Sequence, residues 1–375
     1  MHFEVPRART AFHRCIASLG LLAALAAAPG VHAKEYNYAT YLPPQHPTTK
    51  ALNTFLEDVS KATGGAMTFK MHDSATLATG KSTITAIKNG LTDGGAMMTV
   101  YNPTEVPANA FLNEMNFHVD DARVAAAAAT ETILDCEQCL EEFRKYNVHY
   151  LGSYSTTPYK VMCKSDFSGG IDFTGMRIRV PGSEQGAWVK EVGGIPVTME
   201  NSEAYQAMQR NQLDCVLGPI AWMKVLSLGE LTGAVVDIPI GSYFAGSLFN
   251  FNEREYKTLP REHRKALIDA TATGIANAVY NYIDEDAEVA KSARERGVKF
   301  LKPTEKLVSQ RAAFLEGQKA RLIEKAKGKV KNPEALFDSL LRNMERWRGL
   351  IGEQELTREQ YVALLRREIF DKIEP

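Results

Sequence analysis

From Lys34 onward, hydrophobic positions alternate at period two and then recur at period three to four, again and again. Tyr36 to Tyr41 reads as a strand, and Leu42-Pro-Pro-Gln-His46-Pro47 as a loop rich in turn residues. Leu52, Phe55, Leu56 and Val59 fall on one helical face, which Gly64 and Gly65 should end. Met67, Phe69 and Met71 predict the next strand, Ile84, Ile87 and Leu91 the next helix, and Ala96 to Val100 another strand. One helix is expected from Asp120–Asp121 to about Tyr146, followed by a strand over Val148 to Tyr154. This alternation predicts a largely parallel sheet covered by helices.

A second unit repeats the grammar. Strands are expected at Tyr159–Cys163, Met176–Val180, Pro196–Met199, Leu213–Leu217, Val235–Ile238 and Ser247–Phe251, with helices at Ser183–Val192 and Ser202–Arg210. After Pro260 the pattern is helical and charged to the C-terminus. The expected fold class is therefore α/β, with two lobes, a cleft between them and long C-terminal helices. The expected lobes are 34–157 with about 243–275, and 158–242 with about 276–330. Residues 331–375 form a helical extension. There Leu336, Phe337, Leu340 and Leu341 make an apolar stripe, expected to pack on the second lobe.

The N-terminus changes the picture. Arg7, Arg9 and Arg14 against Glu4 precede an apolar run from Ile16 to Ala28, and Val31-His32-Ala33 offers small residues for cleavage. That run is shorter than the roughly 20 residues of a membrane-spanning helix. Residues 1–33 thus read as a secretory signal cut before Lys34, which places the mature chain in the periplasm. The arginines are not adjacent, and Cys15 lacks a leucine-rich lipobox, so neither a twin-arginine signal nor a lipid anchor is indicated. Losing three arginines and one glutamate takes the net charge from −1 to about −3, which gives no basic surface for nucleic acid.

Catalytic patterns are sparse. There is no Gly-x-Ser-x-Gly elbow or His-Glu-x-x-His, and His46, His72, His118 and His149 are isolated. Cys136-Glu-Gln-Cys139 has redox spacing but lacks a preceding strand, so a local structural disulfide is favoured over catalysis. Ala75-Thr-Leu-Ala-Thr-Gly80-Lys81-Ser82 imitates a phosphate loop, with alanine at the first glycine position. An exported protein has no reliable ATP supply, so ATP is not expected to bind. Gly80 and Lys81 are read instead as backbone amides and a cation facing the cleft, suited to an anionic ligand. No metal or other cofactor is expected.

The block Thr174-Gly-Met-Arg-Ile-Arg179-Val-Pro-Gly182, continued through Gly193 to Asp214, is the most informative. Alternation puts Arg177 and Arg179 on one face of a strand that ends at Pro181-Gly182. A guanidinium held there suits bidentate binding of a carboxylate. On spacing alone, a surface arginine is the commoner alternative.

At this block the chain resembles the solute-binding proteins of tripartite ATP-independent periplasmic (TRAP) transporters, the dicarboxylate-binding type. His46-Pro47, Thr63-Gly-Gly65, the Ala75–Gly80 turn, Ile87-Lys-Asn-Gly-Leu-Thr-Asp93 and Leu259-Pro260-Arg-Glu-His-Arg-Lys-Ala266 match in order over about residues 34–300. The resemblance implies two α/β lobes closing on a small organic anion, with Arg179 as the clamp on its carboxylate and membrane permease subunits as partners. Departures fall around the clamp. Tyr159, beside Lys160, stands where some sialic-acid members place a second arginine. Asn201 stands where an aromatic is common, and Gly218 replaces an asparagine. They argue against a polyhydroxylated acidic sugar. Trp222, Tyr159, Tyr101 and Tyr243 are candidates to line a flatter, more apolar site with Asn102, Asn201 and Gly218, and Lys81 is a candidate for a second acidic group. A periplasmic hydrolase or thiol redox protein is the alternative. It would need a nucleophile–base pair or a reactive Cys136–Cys139.

Overall fold

The computed structural model describes residues 1–4, 33–244 and 246–375, so most of the expected leader lies outside the described residues. The strand Lys34–Ala39 pairs in parallel with Met67–His72 on one side and with Gly94–Gly95 on the other. Alternation turns Tyr36 and Tyr38 inward, and the Tyr38 phenol donates to the Leu248 carbonyl at 2.8 Å. The helix Pro47–Ala62 covers this sheet with Ala51, Leu52, Phe55, Leu56 and Val59. His46 caps its start, and Gly64 and Gly65, with φ of 59° and 83°, supply the left-handed turn that ends it.

The second sheet has six strands in the order Lys299–Leu301, Ala234–Val236, Lys160–Cys163, Cys215–Gly218, Arg177–Val180, Ile195–Thr198. It is mixed, not largely parallel as expected: Lys160–Cys163 runs antiparallel to both of its neighbours. Two antiparallel ribbons account for further strands. Val148–Gly152 pairs with Phe249–Asn252, and Ser155–Pro158 pairs with Ser242–Phe244. The 35-residue helix Arg261–Glu295 packs along Pro47–Ala62 and Ser155–Pro158. At about 1.5 Å per residue it is roughly 50 Å long, enough to touch both halves of the molecule.

Other expectations change. Ala96–Val100 is not a strand; Met97 makes one bridge to Ser247 and Thr99–Tyr101 forms a 3-10 turn. The single helix expected over 120–146 is two, Ala122–Leu134 and Glu137–Lys145. Cys136 caps the second and is bonded to Cys139. A second disulfide joins Cys163 to Cys215, directly opposed on adjacent antiparallel strands. The helix that carries the C-terminal stripe packs mainly on Ala122–Leu134, within the expected first lobe, and not on the second lobe as expected. Ala125 to Ala129 of that helix are fully buried, and small side chains there leave room for close approach of its neighbours, among them Pro333–Ile351. Trp347 is fully buried there, and its indole N–H donates to Glu131 at 2.7 Å.

Candidate functional site

Arg179 lies on Arg177–Val180, between Cys215–Gly218 and Ile195–Thr198, and is fully buried. Its Nε donates to the Met199 carbonyl at 3.0 Å, Nη1 to the Leu217 carbonyl at 3.2 Å and Nη2 to the Tyr101 hydroxyl at 2.9 Å. The Trp222 ring centre is 5.3 Å from its guanidinium carbon. None of the ion pairs among the described residues includes Arg179. Arg177, two residues earlier, is spent differently: Nε and Nη2 donate to the Asp214 carboxylate at 2.9 and 2.8 Å, near the surface.

Aromatic rings surround the guanidinium. Tyr159 lies edge-on to Trp222 with centroids 5.6 Å apart, and near-parallel to Tyr243 at 6.3 Å. Tyr41 packs against Tyr101, and Tyr154 against Tyr243. Burial pushes the phenols of Tyr41, Tyr101, Tyr154, Tyr159, Tyr243 and Tyr282 up, while the nearby Arg179 charge works the other way on Tyr101, Tyr159 and Tyr243. At neutral pH they are therefore hydroxyls able to donate to an anion. Gly218 explains the position of Trp222. A Cβ at 218 would lie 2.2 Å from Trp222 Cε3, so only glycine lets the indole rest on the strand.

Arg179, Tyr101, Tyr159, Asn201, Gly218, Trp222 and Tyr243 thus come together. Asn201 donates its backbone N–H to the Tyr101 hydroxyl at 3.2 Å, and its side-chain Oδ1 is buried with no partner among the described residues. Asn102 is placed differently: its amide donates to the Met98 carbonyl at 3.1 Å, which closes its own turn. Lys81 is also placed differently. Its side chain is exposed, and its backbone N–H donates to Glu200 Oε1 at 2.9 Å, while that of Gly80 donates to Glu200 Oε2 at 3.2 Å. The turn does hold an anion, but the protein's own.

Sequence reasoning missed Tyr41, Tyr154, Tyr282 and Glu200. Glu200 stands between Met199 and Asn201 in the informative block, and nothing in its local sequence marks it as buried. His46 is buried, and its pKa is pushed down to about 3 by burial, so the imidazole is neutral; it makes a 3.4 Å contact with the Tyr282 phenol. Asp286, on the long helix, accepts from Thr157 Oγ1 at 2.5 Å and from the Ala221 N–H at 2.6 Å. It ties the crossing ribbon to the segment that carries Trp222.

Two lobes, crossing ribbons and a buried cationic centre between the sheets define a solute-binding protein. Residues 38–324 match the family described as bacterial extracellular solute-binding protein, family 7 (DctP), and the chain belongs to that family. Several solved structures share the fold at low identity. A TRAP solute-binding protein from Rhodoferax ferrireducens T118, in complex with copurified benzoate, is 15% identical with a TM-score of 0.74, covering 85% of this chain and 100% of that one. A marine metagenome protein specific for aromatic acids, crystallised with 3-hydroxybenzoate, is 18% identical with a TM-score of 0.75, covering 84% and 99%. One from Bordetella bronchiseptica with bound mandelate is 20% identical with a TM-score of 0.72, covering 84% and 99%. Among the described residues no helix is long and apolar enough to cross a membrane.

Proposed function

We propose that this protein captures a small organic carboxylate between its lobes in the periplasm and delivers it to the membrane permease of a TRAP transporter. One observation carries the reading: Arg179 is fully buried and forms no ion pair among the described residues. A buried charge is costly unless paired, so the missing counterion is assigned to the ligand. Arg179 orients the carboxylate, and Tyr101, Tyr159 and Tyr243 offer hydroxyls beside it. Trp222 and Tyr159 present ring faces and edges suited to a flat, apolar remainder. The aromatic acids held by the Rhodoferax, marine and Bordetella proteins have that shape, and an aromatic monoacid is the ligand class proposed here. The protein acts by a closure equilibrium, in which the ligand favours the closed lobes by touching both. It does not transform what it binds.

The test is calorimetry of aromatic carboxylates against the parent and two variants. Arg179→Ala leaves the bound carboxylate without its partner, a loss of roughly 2–5 kcal/mol, or about 30- to several-thousand-fold in affinity. Arg179→Lys should restore only part, because an ammonium lacks the planar fork. Arg177→Ala, whose partner is Asp214, is the control and should change affinity little. Unchanged affinity in a folded Arg179→Ala would overturn the assignment.

A further inference from the structure

We infer that Glu200 sets the charge of the acceptable ligand: it fills a second anion-holding position at the cleft with the protein's own carboxylate, so the site takes an organic acid bearing one negative charge and turns dianions away. The inference rests on the proposed capture of a carboxylate by Arg179.

Glu200 follows the strand Ile195–Thr198 of the second sheet, and it is buried. Its two oxygens reach across to the turn before the helix Thr83–Lys88, which belongs with the first sheet, and each takes one backbone N–H. A Cβ on Gly80 would lie 3.1 Å from Glu200 Oε2 and 3.1 Å from Tyr101 Cδ2, so carboxylate, turn and Tyr101 ring are in contact. Tyr101 in turn holds Arg179 through its hydroxyl, and the carbonyl of Met199, next to Glu200, accepts from Arg179 Nε. The clamp and the built-in anion therefore share neighbours, Tyr101 and the Met199–Glu200 backbone. The Tyr101 phenol feels both, with Arg179 lowering its pKa and Glu200 raising it.

A ligand with one carboxylate satisfies Arg179 and leaves Glu200 on its two amides. A second carboxylate reaching toward residues 80–81 would have to displace Glu200, stranding a buried acid, or lie beside it as a like charge. Either is unfavourable in a desolvated cleft. The same two bonds join the two sides of the cleft, so Glu200 contributes to closure while it excludes. The amides that the sequence assigned to a ligand acid are thereby withdrawn from it.

The experiment compares matched acids by calorimetry at pH 7.5: 3-hydroxybenzoate against isophthalate, and butyrate against succinate. The parent, Glu200→Gln and Glu200→Asp are used, each first shown to be folded by its melting transition. The parent should prefer the monoanion of a pair by roughly tenfold or more, which corresponds to about 1.4 kcal/mol. Glu200→Gln keeps an acceptor but removes the charge, and should shrink that preference to within about threefold. Glu200→Asp keeps the charge and should keep the preference. Equal binding of monoanion and dianion by the parent would overturn the role of Glu200, as would an unchanged ratio in Glu200→Gln or equal relaxation in both variants. Binding of no acid in either pair by the parent is a different result: it defeats the carboxylate reading itself, and this inference with it.

Discussion

Gly218→Ala is the sharpest single-atom probe of the site. The added Cβ would lie 2.2 Å from Trp222 Cε3 and 2.4 Å from Cζ3. Ordinary carbon contacts are about 3.5–4.0 Å, so the indole must retreat by more than about 1 Å. It has little room. Tyr159 packs edge-on at 5.6 Å between centroids, the Arg179 guanidinium is 5.3 Å from the ring, and Trp222 itself is buried. Overpacking of this kind costs typically about 1–3 kcal/mol. Displacing the ring also weakens its contact with the cation, worth about 0.5–2 kcal/mol, or roughly two- to thirtyfold in ligand affinity. Thermal melting and calorimetry on Gly218→Ala measure the two effects separately. Adding Trp222→Leu removes the clash, so Gly218→Ala should be far less harmful in that background, and the cycle should be strongly non-additive. Parent-like melting and affinity in Gly218→Ala, or simple additivity with Trp222→Leu, would refute the claim that glycine is there to seat the indole.

Four further outcomes are expected. Replacing Cys163 and Cys215 by serine opens a loop spanning 52 residues; loop-closure entropy predicts a loss of about 4 kcal/mol by denaturation. The same change at Cys136 and Cys139 should leave ligand affinity within a few-fold, and an insulin-reduction activity lost with it would instead show a redox enzyme. Burial pushes the Asp286 carboxyl from 3.8 to about 6. Between those values the fold holds a proton that the unfolded chain releases, so its contribution is present below about pH 4 and lost as pH rises through 6. Asp286→Asn should therefore gain on the parent between pH 4 and 7 in denaturant midpoints, and a pH-independent difference would refute the assignment. Mature protein recovered from the periplasm should begin within about two residues of Lys34, which N-terminal sequencing checks; an intact leader would overturn export.

Much of this protein was legible in its pattern of residues. The alternation of Met176 to Val180 gave the strand, and the stripe from Leu52 to Val59 gave a helix that does pack on a sheet. Periodicity works because burial on one face is a local property of strand and helix geometry. It tells which side is buried and is silent on what covers it. That silence explains the errors. Leu336, Phe337 and Leu340 are buried as expected, but on a helix that packs mainly against Ala122–Leu134, about two hundred positions earlier. Arg177 and Arg179 look alike in sequence, yet Asp214 pairs with the first, while the second is buried against the Tyr101 hydroxyl. The Gly80–Lys81 amides were recognisable as an anion holder. Only the meeting of the two sides gave them Glu200, and only the fold gathered Tyr101, Tyr159, Trp222 and Tyr243 around one guanidinium. Residues so far apart carry no joint signal in a single sequence. Their convergence is fixed by sheet register, by the crossing ribbons and by a glycine small enough to let an indole lie flat.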